Sequence, residues 1–156
     1  MRKLTSIIFI LFFAFATSIL AQTNADKRVK GFNLNKTVAL SGHDPVAYFK
    51  QSKAVEGKKE FAATFEGVTY YFSSASNKET FLKSPSFYEP QYGGWCAYAM
   101  GSSGEKVEVD PETFKIIDNK LYLFYNAYFN NTLKSWNKDE INLKRKADVN
   151  WIKFNK

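Results

Sequence analysis

Two hairpin signals constrain this chain more than anything else in it. Phe61 to Phe65 and Val68 to Ser73 flank Glu66-Gly67. These are two runs rich in aromatic and β-branched residues around a two-residue turn, where glycine takes positive φ without strain. Phe114 to Ile117 and Leu121 to Tyr125 flank Asp118-Asn119-Lys120 in the same manner. Helix signals stand between and after them. Asp44-Pro45 suits an N-cap followed by proline at the first helical position, opening Val46 to Phe49. Ser74 and Ser76 are placed to cap a helix over Asn77 to Lys83, with Phe81 and Leu82 facing inward and Ser84-Pro85 as its stop. Trp95 to Met100 is a short apolar run compatible with a helix. Ala127 to Trp136 and Lys138 to Phe154 read as C-terminal helices. Of the other aspartates, Asp110 and Asp139 read as caps and Asp118 as a turn residue. Local hairpins interleaved with helices predict an α+β fold, with a small antiparallel sheet of two hairpins packed against short helices. Aromatic residues make up 17% of the 156, including 15 Phe and 9 Tyr, so the expected core is bulky.

The first segment has a different character. Met1-Arg2-Lys3 is a basic head, Leu4 to Leu20 is apolar, and Ala21 precedes Gln22. This is the plan of a secretory signal peptide over residues 1–21, cut after Ala21. The alternative is an uncleaved anchor, which would then be the only membrane contact. The expected address is periplasmic or secreted. Residues 22–36 read as a flexible leader and 37–156 as one domain. The formal charge is +7 for the whole chain, and removal of Arg2 and Lys3 brings it to +5. That balance favours acidic surfaces in general, while the exported address argues against nucleic acid.

The chain has one cysteine, Cys96, and one histidine, His43. One cysteine excludes an internal disulfide and a thioredoxin-like dithiol cycle, and one histidine excludes a His-His zinc site. No phosphate-binding glycine loop, nucleophile elbow or close carboxylate pair is present. No catalytic constellation therefore stands out, and any thiol scheme needs a protein redox partner or a small ligand.

Gly67-Val68-Thr69-Tyr70-Tyr71-Phe72-Ser73-Ser74, Asn77, Phe81 and Pro85 to Tyr88 together resemble the YHS domain. Four further stretches narrow the resemblance to the exported single-domain YHS proteins of bacteria. They are Gly42 to Phe49, Pro90 to Tyr98, Leu121 to Leu123 and Ala147 to Trp151. Short YHS modules occur in metal-handling proteins, including copper-transporting ATPases, where cysteines follow the Tyr-Phe strand. The matching positions here look like Ser73 and Asn77, which are not soft metal ligands, so that function does not carry over. The exported family keeps a cysteine at the position of Cys96, and some members carry selenocysteine there. The resemblance thus implies a position where sulfur or selenium chemistry matters. Related sequences often carry tyrosine where this chain has His43.

Three readings follow. In the first, Cys96 is an activated thiol of a binding or redox-accessory module. The two glycines before it and the helix after it would lower a thiolate's pKa, and Tyr92, Trp95 and Tyr98 would form a pocket around it. In the second, His43, Cys96 and Met100 hold a metal, with copper favoured. Cys96 and Met100 share a helix face, and a sulfur–sulfur–nitrogen set suits Cu(I). In the third, Cys96 is a small buried hydrophobe in a structural or partner-binding domain. Exposure of the sulfur separates the first two from the third.

Overall fold

The structure is a computed structural model and describes residues 25–154. The signal-peptide expectation for residues 1–21 lies outside the described residues. Helix α1 occupies 25–31. A small hairpin of β1 (Leu34–Asn35) and β2 (Val38–Ala39) follows, then α2 (Pro45–Gln51), β3 (Lys58–Phe65) and β4 (Val68–Phe72). Helices α3 (Ala75–Lys83), α4 (Pro85–Tyr88) and α5 (Ala97–Ser102) lead to β5 (Asp110–Ile117) and β6 (Lys120–Phe124). The chain closes with a short hairpin, β7 (Asn126–Ala127) and β8 (Asn130–Asn131), and helices α6 (Thr132–Trp136) and α7 (Glu140–Ile152). Among the described residues no helix is long and apolar enough to cross a membrane.

The fold is α+β, and both predicted hairpins form. They do not share one antiparallel sheet, however. β3 and β4 belong to a four-stranded mixed sheet of order β1-β2-β4-β3, in which β2 runs parallel to β4. β5 and β6 form a sheet of their own. The reason lies in β6, which is buried on both faces. Leu121 and Leu123 enter a first core with Val46, Tyr48, Tyr70, Phe72 and Phe81. Tyr122 and Phe124 enter a second core with Ala97, Met100, Trp136, Leu143 and Ala147. The two-residue strand period thus divides one strand between two cores.

Several other expectations are corrected. The leader expected over 22–36 is, in its described part, α1 and β1. α1 packs on the Glu66-Gly67 turn, where a Cβ on Gly67 would lie 3.0 Å from Val29 Cγ2. Residues 127–136 are not one helix, because the β7–β8 hairpin precedes α6. Phe81 is buried as expected, but Leu82 is 51% exposed. Asp139 makes no capping hydrogen bond, and Asp110 holds Glu112 N and Thr113 Oγ1 within β5 instead.

The Asp44 cap is present and does more than cap. Its Oδ1 accepts from the amides of Val46 and Ala47 at 2.9 and 3.3 Å. Its Oδ2 accepts from Ser73 N, Ser73 Oγ and Asn77 Nδ2 at 2.8, 2.6 and 2.7 Å. One fully buried carboxylate therefore ties the start of α2 to the end of β4 and the first turn of α3. Ser73 and Asn77 both serve this junction.

Candidate functional site

Cys96 precedes α5 and is completely buried. Its backbone N–H donates to Val107 O at 2.9 Å. Its Sγ accepts from Tyr125 N–H at 3.4 Å and lies 3.5 Å from Thr132 Oγ1. Thr132 spends its own hydrogen on Tyr125 O at 2.9 Å, which leaves Cys96 S–H to donate to Thr132 Oγ1. The thiol is thus satisfied on both counts by residues some thirty positions away. A reagent would have to displace this packing to reach it.

His43 is engaged elsewhere. Its Nδ1 bonds Leu40 O at 3.0 Å, and its backbone forms a bridge with Glu56. Met100 lies in the second core. Among the described residues the hydrogen bonds of Cys96 Sγ go to Tyr125 and Thr132, and that of the His43 ring goes to Leu40. Among the described residues no group of three or more His, Cys, Asp or Glu side chains is placed to hold a metal.

The Tyr92-Gly93-Gly94 segment has a backbone that the sequence reading missed. All three residues have positive φ, 55°, 61° and 85°. A bulky residue in the left-handed region is strained, and such strain concentrates at functional sites. Leu40-Ser41-Gly42 repeats the pattern with φ of 58°, 51° and 85°. A cleft of about 360 Å3 opens between the two left-handed turns, lined by Leu40, Ser41 and Gly94 together with Asn33, Asn35 and Glu108.

A second cleft, of about 320 Å3, lies on the other side of the Tyr92 turn. Phe32, Tyr92 and Trp151 are its aromatic lining, and Arg28, Glu89, Ser86 and Gln91 its polar lining. Gly93 fixes the aromatic wall. A Cβ there would come within 2.9 Å of Trp151 Cη2 and 3.1 Å of Phe32 Cα. Tyr92 is held from its other end, since its hydroxyl donates to Asp148 Oδ1 on α7 at 2.9 Å. Glu89 is buried, and its Oε1 accepts from both Arg28 and Tyr70. The guanidinium of Arg28 also rests over the Phe32 ring at 4.7 Å. Burial pushes the Tyr70 phenol well above its ordinary value, and the Glu89 charge adds to this. Burial likewise raises Tyr92, helped by its hydrogen bond to Asp148. Both phenols are therefore neutral donors at neutral pH.

Of the pocket expected from Tyr92, Trp95 and Tyr98, only Tyr92 lines this cleft. Trp95 Nε1 donates to Gly31 O at 2.7 Å and so anchors α1. Tyr98 packs against the second core. The residues that sequence reasoning missed are Arg28, Phe32 and Glu89. Arg28 and Phe32 fell in the supposed leader, and Glu89 gave no signal because its partners lie 19 and 61 positions away. Compared with family models, curated proteins and solved structures, the chain matches none.

Proposed function

We propose that this chain is a non-catalytic ligand-binding domain, with a structural thiol at Cys96 and its recognition surface at the Tyr92 cleft. The observation that carries this reading is the strained turn itself. Tyr92 and Gly93 are held left-handed so that three aromatic side chains meet beside the Arg28–Glu89 pair. A shallow cleft with apolar ring faces and a few fixed donors and acceptors suits a small neutral ligand that has one apolar face and a hydroxylated edge. A sugar ring is such a ligand. Its C–H face would lie on Trp151 or Phe32, and its hydroxyls would meet Arg28, Glu89, Ser86 and Gln91. The expected exported address is compatible with a ligand of this kind.

The activated-thiol and copper readings have less support. Both need a reachable sulfur, and Cys96 is 0% exposed and hydrogen-bonded by Tyr125 and Thr132.

The test is a titration with a panel of neutral mono- and disaccharides, read by tryptophan fluorescence and amide NMR. The expected result is a saturable response centred on Phe32, Gln91 and Trp151, weakened in Ser86→Ala and abolished in Trp151→Ala. A response absent across the panel, or centred away from the cleft, would reject the proposal.

A further inference from the structure

The outer face of the four-stranded sheet carries a third cleft, of about 250 Å3, with a different chemistry. We infer that it binds the phosphate group of a small anion, held between Lys36 and Lys59 against the Leu40-Ser41-Gly42 turn. The inference is independent of the sugar reading at the Tyr92 cleft.

The placement follows from strand alternation. Val68, Tyr70 and Phe72 of β4 face the core, so Tyr71 faces outward. The register shifts after the Lys58–Phe72 pair, and Lys59, in that irregular stretch of β3, lines the cleft together with Tyr71. Lys36 comes from the β1–β2 turn, and Asn35 and Ser41 add a neutral amide and a hydroxyl. No carboxylate lines the cleft. Among the described residues neither lysine joins an ion pair. Two unpaired cations and several neutral hydrogen-bonding groups around one cavity leave a positive potential that an anion would neutralise.

The turn that forms one wall is held in place. Leu40 O accepts from both His43 N and His43 Nδ1 at 3.0 Å. Gly42 O accepts from Gly57 N at 2.9 Å. The Tyr71 ring lies on Gly42, where a Cβ would meet Tyr71 Cδ2 at 3.4 Å and φ is +85°. The left-handed backbone of Leu40 and Ser41 is thus maintained beside the cleft that Ser41 lines with both lysines. This also gives His43 a role: it positions the turn.

The same phosphate chemistry comes either from a soluble phosphate ester or from a lipid headgroup, and the experiment separates them. The protein is titrated at low ionic strength with inorganic phosphate by amide NMR. In parallel it is sedimented with phosphatidylcholine vesicles, with and without phosphatidylglycerol. The expected result is saturable shifts at Ser41, Gly42 and Tyr71, weakened at least tenfold in Lys36→Gln/Lys59→Gln. They should be unchanged in Lys144→Gln/Arg145→Gln/Lys146→Gln, which removes three cations from a basic run elsewhere. Phosphatidylglycerol-dependent sedimentation lost in the first variant would assign the lipid source. Shifts without sedimentation would assign a soluble ester. No localised shift, or equal sensitivity to both variants, would overturn the inference.

Discussion

Trp151 on α7 rests directly on the backbone of Gly93, so that a methyl group on Gly93 would come within 2.9 Å of the indole. Gly93→Ala must therefore move Trp151 and Phe32 and also hold alanine at a φ of +61°. The expected cost is about 2 kcal/mol, the usual scale of overpacking in a tight site. Urea unfolding measures this, and a change in tryptophan emission before the transition would report the displaced indole. An unchanged midpoint and spectrum would mean that the contact does not hold the aromatic wall.

Burial of Cys96 gives a direct expectation for thiol reagents. Alkylation of the folded protein should be slow and should follow the opening of the fold, reaching the free-thiol rate only in denaturant. Cys96→Ala should cost about 1–2 kcal/mol, through the lost sulfur contacts and the unpaired Tyr125 N–H. Rapid labelling under native conditions would restore the thiol-redox reading.

Asp44 joins three elements through one carboxylate, so its removal should act beyond α2. Asp44→Ala is expected to cost about 3 kcal/mol, since it combines a lost cap with buried donors left unpaired. Hydrogen exchange should then show loosening at Ser73 and Asn77 as well as at Val46. Loosening confined to α2 would reduce Asp44 to an ordinary cap.

The β7–β8 turn carries two aromatics in an unfavourable conformation. Tyr128 and Phe129 have φ of 51° and 64° and are 92% and 111% exposed. Two-residue hairpin turns with two positive φ values favour Asn-Gly. Tyr128→Asn/Phe129→Gly should therefore stabilise the protein by about 1–2 kcal/mol, because the strain is relieved and no buried surface is lost. Thermal unfolding checks the sign. Destabilisation would show that the aromatics make contacts in the folded state.

Alkaline pH should destabilise the fold through buried tyrosines. Tyr48, Tyr70 and Tyr92 all have phenols raised above the ordinary 10.0, in each case chiefly by burial. Below that value both states are protonated and stability is unaffected. Above it the unfolded chain ionises and the folded chain does not, so stability falls as pH rises. Unfolding free energies measured across this range should decline, and Tyr92→Phe should decline less steeply. A flat profile would contradict the burial assigned to these rings.

Local chemistry was legible in the residues. The Asp44-Pro45 cap, the Ser74 cap and the two-residue turn at Glu66-Gly67 all occur where short-range rules place them. The helix expected over Ala127 to Trp136 failed for an equally local reason. Its strand pairing, Ala127 with Asn130, depends on a turn made by Tyr128 and Phe129, residues that short-range rules do not assign to turns. Among the expected site residues, Tyr92 was the one that the cleft kept.

The sequence by itself determined the fold class and the chemistry that one cysteine and one histidine exclude, because periodicity, turn residues and counts are local properties. The tertiary structure alone decided which sheet each hairpin joins and how β6 divides between two cores. It also decided that Cys96 is enclosed by Tyr125 and Thr132, and that Gly93 meets Trp151. These depend on which distant surfaces come together to exclude water, and no short stretch of chain encodes that.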